Sequence, residues 1–182
     1  WDIPSLPENI RPYLEKMDRS YRDIMSANPV VYDQVKITTY KSQTPKFLSS
    51  QSLDFILTFR NVHNWAKRGT DELMFAAFYE ALKPGAILGV TDHRAKPGTS
   101  FDKQIKSGYM TEKYVVEMAQ RAGFELVAKS EINANPRDTA DHPDGVWNLP
   151  PTMRNVSDSD RKVYLDIGES DRMTLKFKRP VN

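Results

Sequence analysis

The fold is decided by two stretches, Leu53-Asp54-Phe55-Ile56-Leu57-Thr58-Phe59 and Leu82-Lys83-Pro84-Gly85-Ala86-Ile87-Leu88-Gly89-Val90-Thr91. The first is a nearly continuous apolar run of strand length. Such a run suits a strand covered on both faces, as in parallel sheets. The second places another run, from Ala86 to Thr91, directly behind a Lys-Pro-Gly that ends a helix. Between them, Thr70 followed by Asp71 and Glu72 predicts a capped, acid-rich helix start. Leu73, Met74, Ala77, Phe78, Ala81 and Leu82 give that helix its buried stripe.

The same pattern continues outward in both directions. Upstream, Tyr13, Leu14, Met17, Tyr21, Ile24 and Met25 trace one face of a helix over residues 12–27, with Pro12 in its first turn and Asn28-Pro29 as its stop. Val35, Ile37 and Thr39 alternate with polar neighbours and predict a short strand over residues 35–40, followed by a loop to residue 52. Downstream, a polar loop leads to Thr111, which caps a helix bearing Tyr114, Val115, Met118, Ala119 and Ala122. Phe124, Leu126, Ala128, Ser130 and Ile132 alternate as a strand. The last strand is Arg172–Lys178, with Met173, Leu175 and Phe177 facing inward. Strands alternating with helices argue an α/β fold with a mainly parallel sheet. Residues 133–171 are too long for a simple connection and read as a lid-like insertion, with one short helix near residues 159–167.

Composition narrows the function. The 182 residues are 39% hydrophobic and 27% charged, enough apolar material for one core. Lys+Arg 26 against Asp+Glu 24 gives a net charge of +2 in no long runs, so the basic stripe that nucleic-acid binding needs is lacking. The absence of cysteine excludes disulfide frameworks, thiolate metal sites and cysteine nucleophiles. No apolar run reaches the roughly 18 residues of a membrane span. No Gly-x-x-x-x-Gly-Lys phosphate loop and no Gly-x-Ser-x-Gly elbow occurs. The chain starts at Trp1 with no visible leader. The compartment is cytoplasmic by default, or periplasmic if a leader has been removed.

Residues 52–57, Asn61-Val62-His63 and Tyr79-Glu80-Ala81-Leu82-Lys83-Pro84-Gly85-Ala86-Ile87-Leu88 together resemble the central section of the class I, Rossmann-like S-adenosylmethionine-dependent methyltransferases. The sequence is most similar to a bacterial group known as predicted methyltransferases, through residues 58–65, 147–152 and 168–175. The resemblance covers nearly all of the chain and implies a single methyltransferase-like domain over 1–182. In that family the sheet order is 3-2-1-4-5-7-6. The glycine-rich turn after the family's first strand has no counterpart here. The resemblance therefore implies that strand 1 and most of strand 2 lie upstream, with Trp1-Asp2 as the end of strand 2. The strand at 35–40 is then left without its natural neighbour, and a solitary strand does not persist. Asp2 would hold the cofactor ribose, since a carboxylate accepts two hydrogen bonds at once.

Ligands in parallel α/β sheets bind beyond the carboxyl ends of the strands. Two ends here carry polar clusters: Arg60, Asn61, His63, Asn64 and Trp65 after Phe59, and Thr91, Asp92, His93 and Arg94 after Val90. The resemblance makes the two strands neighbours. It implies that Arg60 and Asn61 lie near the cofactor and that His63 and His93 face the methyl acceptor, either one able to take its proton. Tyr40 is a candidate adenine contact. Trp65, Tyr109, His142, Trp147 and Arg154 are candidate substrate or lid residues. His63, His93 and Asp92 are also metal-ligand types, but no tight His-x-x-x-His spacing accompanies them and no metal is expected. The expected function is methyl transfer from S-adenosylmethionine to a small molecule, with a homodimer as one candidate assembly. A degenerate cofactor-binding domain and a metal-assisted enzyme are the alternatives.

Overall fold

Strand β2 (Leu82–His93) lies at the centre of the architecture, and its neighbours explain the rest. In the computed structural model, residues 8–41, 43–47 and 49–181 are described. A four-stranded sheet runs in the order β1-β2-β4-β3, with β1 (Leu53–Phe59), β3 (Glu125–Ser130) and β4 (Arg172–Lys178). Strands β1 and β2 are parallel, whereas β4 pairs antiparallel with both β2 and β3. This is the 4-5-7-6 half of the sheet that the resemblance implies. Leu88, Val90, Met173, Leu175 and Phe177 are all at most 1% exposed and form the sheet's contribution to the core. Each such side chain stabilises the fold by roughly 1.5–3 kcal/mol.

Burial of β1 on both faces is not what forms. Phe55, Leu57 and Phe59 are 67%, 64% and 60% exposed: they share one face of β1, which is left largely uncovered, and β1 is the edge of the sheet among the described residues. The alternation leaves Thr58 as its single buried residue.

Helices pack against the sheet through short, mostly predicted stripes. Helix α4 (Asp71–Ala81) buries Met74, Phe75, Phe78 and Ala81. Thr70 sits at its N-cap without a side-chain cap; its hydroxyl instead donates to the Trp65 carbonyl at 3.5 Å. Thr111 does cap helix α6 (Glu112–Arg121), accepting from the Tyr114 amide at 3.2 Å. Two helices lie where sequence reading placed none: α3 (Val62–Arg68), closed by left-handed Gly69, and α5 (Phe101–Ser107). Both are seven residues long, too short for periodicity to announce them. In the insertion, residues 145–148 form one 3-10 turn and Arg161–Ile167 forms helix α7.

Two polar hubs hold the insertion to this frame. The Arg94 guanidinium, just past β2, reaches three carboxylates: Asp171 at 2.8 and 2.9 Å, Glu131 at 2.7 and 2.9 Å, and Glu112 at 3.1 Å. Asp138 accepts from the Tyr109 hydroxyl at 2.9 Å, the Asp171 amide at 2.7 Å and the Ala140 amide at 2.9 Å, and pairs with His142 Nε2 at 2.9 Å.

By contact density the chain divides into two units, Trp1–Phe47 and Leu48–Asn182, and the sheet belongs wholly to the second. In the first, helix α1 (Arg11–Ala27) begins with Pro12 in its first turn, and a short α2 (Pro29–Tyr32) follows. The expected strand at residues 35–40 does not form; that segment has no ladder partner among the described residues, so its extended conformation is not propagated.

Candidate active site

Register and a single backbone turn assemble the site. Phe59 pairs with Thr91, so the carboxyl ends of β1 and β2 lie side by side. Arg60 then adopts φ +57°, a left-handed conformation, while its amide donates to the Thr91 carbonyl at 2.8 Å. Non-glycine residues rarely adopt it, and they cluster where a side chain must be aimed. The turn starts α3 at once and brings His63 over the end of β2.

There the fully buried Asp92 carboxylate collects three N–H groups. Its Oδ2 accepts the His63 amide at 3.0 Å; its Oδ1 accepts the His93 amide at 2.8 Å and faces His63 Nδ1 at 2.9 Å. An ionised carboxylate only accepts, so His63 carries its proton on Nδ1 and its lone pair on Nε2. The His93 ring lies 5.1 Å from the His63 ring, centroid to centroid, and its Nδ1 is 2.5 Å from Ser170 Oγ. Burial pushes the His93 pKa down to about 4; the Asp92 charge opposes this, while the positive charges of Arg60 and Arg172 add to it. His93 is therefore neutral at physiological pH.

Both imidazoles line a cavity of about 310 Å³. Arg60, Asn61, Glu169, Ser170 and Arg172 contribute polar lining, and Phe59, Val146, Trp147, Pro150 and Pro151 contribute apolar lining. Trp147 stands edge-on to His63 at 6.4 Å, with the Arg154 guanidinium 5.1 Å and the Lys67 ammonium 5.9 Å from its ring centre. Among the described residues, ligand-type atoms of His63, Asp92 and His93 all lie within 4.8 Å of one another.

No family model matches this sequence, and no curated protein matches it. Solved structures do. The cyclase SpnF superposes with a TM-score of 0.56 at 13% identity, over 86% of this chain and 60% of that one. A protein from Galdieria sulphuraria, provisionally assigned as a sarcosine dimethylglycine methyltransferase, gives 0.56 at 14% identity, over 93% of this chain and 67% of that one. An S-adenosylmethionine-dependent methyltransferase from Methanosarcina mazei gives 0.51 at 11%, over 80% and 67%. The fold is the class I methyltransferase fold. The chain spans 60% of the cyclase and 67% of each of the other two. A cyclase among the similar structures shows that a methyltransferase fold does not by itself fix the reaction.

Within this methyltransferase fold, the structure brings His63, His93, Arg60, Asn61 and Trp147 together around one cavity. Arg154 stacks behind Trp147. It does not bring Trp65 there: that side chain is buried edge-on against Phe75 and Phe78. Tyr109 and His142 lie beneath, both bound to Asp138, with the Tyr109 ring 6.2 Å from that of His93. Tyr40 lies in the first unit, edge-on to Phe47 at 4.9 Å, and Asp2 is outside the described residues. Sequence reading missed Glu169, Ser170 and Arg172. Their signal was positional: they precede or open the last strand, which inserts beside β2.

Proposed function

We propose that the chain binds S-adenosylmethionine and methylates a small-molecule acceptor in the cavity beyond β1 and β2, with His63 as the base. The carrying observation is the buried Asp92 carboxylate holding His63 Nδ1, which leaves Nε2 able to accept a proton at the cavity wall. Of the two histidines, His93 is the weaker base because its pKa lies near 4, far below the working pH. Its role is to pack against His63 and hold Ser170. Arg60 and Asn61, which line the cavity, hold the cofactor in this reading. The Arg60 guanidinium makes no hydrogen bond or ion pair among the described residues, and Asn61 Nδ2 donates to Thr58 Oγ1 at 3.2 Å, leaving Oδ1 for a ligand. When bound, S-adenosylmethionine would supply an electrophilic sulfonium methyl carbon open to an acceptor lone pair, with S-adenosylhomocysteine as the leaving group. His63 orients the acceptor's X–H and takes its proton on Nε2, while Trp147, Pro150 and Pro151 keep water from the acceptor's other face. The insertion at 133–171 supplies that cover.

Calorimetric titration with S-adenosylmethionine and S-adenosylhomocysteine tests the reading, on this chain and on an upstream-extended one. Saturable binding supports it; no binding to either form removes the enzyme reading and the cofactor-binding alternative together. Binding with no S-adenosylhomocysteine released across a panel of small hydroxy and amino compounds leaves a non-catalytic domain. With a responsive acceptor, His63→Gln lowers kcat about 10²-fold at unchanged cofactor affinity.

The metal-assisted alternative draws on the His63–Asp92–His93 cluster. The existing N–H donors on both Asp92 oxygens weigh against it. Stoichiometric metal in the purified chain that disappears in His63→Ala and His93→Ala would replace the base with a metal.

A further inference from the structure

We propose that Arg172 anchors the methyl acceptor, and that the acceptor is a monocarboxylate with a flat apolar body. The proposal rests on the reading above that this cavity takes the acceptor. Arg172 is the cross-strand partner of His93 in the antiparallel β2–β4 pair, so the two side chains emerge beside each other on one face. Its guanidinium is already half committed: Nη2 pairs with Glu169 at 2.7 Å. Its Nε–H is the other half. That atom is buried and meets no hydrogen-bond acceptor. Buried donors are nearly always satisfied, so an orphan donor on a side chain that lines the cavity calls for a partner, and a ligand oxygen would supply one. The rest of the mechanism does not use it.

The charge balance selects the class of ligand. Arg60 and Arg172 face the cavity with Glu169 as the single carboxylate among its lining residues, and His93 is neutral. Asp92 lies behind His63 with both oxygens engaged. The wall thus carries one surplus positive charge. A carboxylate matches it in charge and in the planar geometry of the guanidinium edge. A phosphate dianion would bring a second negative charge against Glu169 on the same guanidinium. The rest of the lining includes Phe59, Val146, Trp147, Pro150 and Pro151, whose apolar and partly flat surfaces suit a ring or planar chain. A ligand so seated has its carboxylate at Arg172 and its body against Trp147, with its far end at His63.

The cofactor's own methionine carboxylate is the other source of the same chemistry, and the test separates the two. Benzoate, benzamide and S-adenosylhomocysteine are titrated calorimetrically into the full chain and into its Arg172→Gln and Arg172→Lys variants. The expected result is benzoate binding at least about tenfold tighter than benzamide, since a hydrogen bond to a charged partner is worth about that factor or more. Arg172→Gln abolishes the preference and leaves S-adenosylhomocysteine affinity within about twofold. Arg172→Lys keeps the charge, loses the Nε donor, and retains a reduced preference; it answers the question if the glutamine variant does not fold. Equal binding of benzoate and benzamide overturns the proposal, and so does a preference that survives in Arg172→Gln. Loss of S-adenosylhomocysteine binding in Arg172→Gln with benzoate binding intact assigns the arginine to the cofactor, and also overturns it. An arginine-dependent benzoate preference in a chain that binds no S-adenosylhomocysteine would sink methyl transfer and keep the anchor. The reverse pattern would sink the anchor and keep methyl transfer.

Discussion

His63 and His93 are the same residue type, are similarly buried, and lie 5.1 Å apart, yet their partners give them different properties. His63 faces a carboxylate; His93 faces a hydroxyl and positive charge. The His93 environment makes stability depend on pH. Its folded pKa of about 4 lies below the ordinary histidine value of 6.5, so between those values the unfolded chain binds a proton that the folded chain refuses. Stability is then unaffected above about pH 6.5 and falls as pH drops toward 4, by roughly 3 kcal/mol at the lower limit. Urea unfolding at pH 7.5, 5.5 and 4 measures this, and His93→Gln should flatten the dependence. A second residue-scale prediction concerns Asp92→Asn. Backbone N–H groups point at both carboxylate oxygens, so either amide orientation sets an NH2 group against a donor. The variant should lose about 1–3 kcal/mol of stability and, with the His63 tautomer no longer held, most of its turnover. A matching wild-type melting temperature would show that the carboxylate is not engaged in this way. The pairing itself was only half legible: the sequence put both histidines at strand tips, but the aspartate's central place depends on the left-handed turn at Arg60, which no residue preference announces.

Elements were readable in proportion to their length and to how locally their ends are determined. Arg172–Lys178 alternates strictly and is found as expected. Thr111 caps α6, whereas Thr70, with the same residue type before the same acidic start, turns its hydroxyl back to Trp65. That difference comes from α3, packed just upstream, and α3 is invisible to periodicity. The insertion depends on another contact that sequence cannot show. Gly145 has φ +64°, and a Cβ there would stand 2.1 Å from the Ser107 carbonyl oxygen at the end of α5. Gly145→Ala combines left-handed strain of about 1–2 kcal/mol with overpacking of about 1–3 kcal/mol. The expected cost is about 2–5 kcal/mol, with faster proteolysis inside 133–171 and weaker benzoate binding, because the 3-10 turn carries Trp147. An unchanged melting temperature would mean that α5 and the turn are not in this contact.

At the scale of the whole molecule, the sequence disclosed the alternation of strands and helices but not which strand would form the edge. Continuous apolarity in β1 predicts burial on both faces; among the described residues β1 is instead a sheet edge with one exposed face. The physical reason is that hydrophobicity records what a strand can bury, while neighbours decide what it does bury. Phe55, Leu57 and Phe59 project at period two onto one exposed face, beside a strand edge whose outward backbone groups have no ladder partner among the described residues. This contrast supports a prediction with an internal control. Because these side chains lie more than half in solvent, the paired change Phe55→Ser and Leu57→Ser should cost less than about 1 kcal/mol. Leu175→Ala, on the fully buried face of the same sheet, should cost about 2–5 kcal/mol. The wild-type chain should also bind the dye ANS under native conditions, and the serine pair should lower that signal. Equilibrium unfolding of the three proteins decides the matter. If the serine pair destabilises the fold as strongly as Leu175→Ala, then β1 is covered in solution and the sheet continues past it.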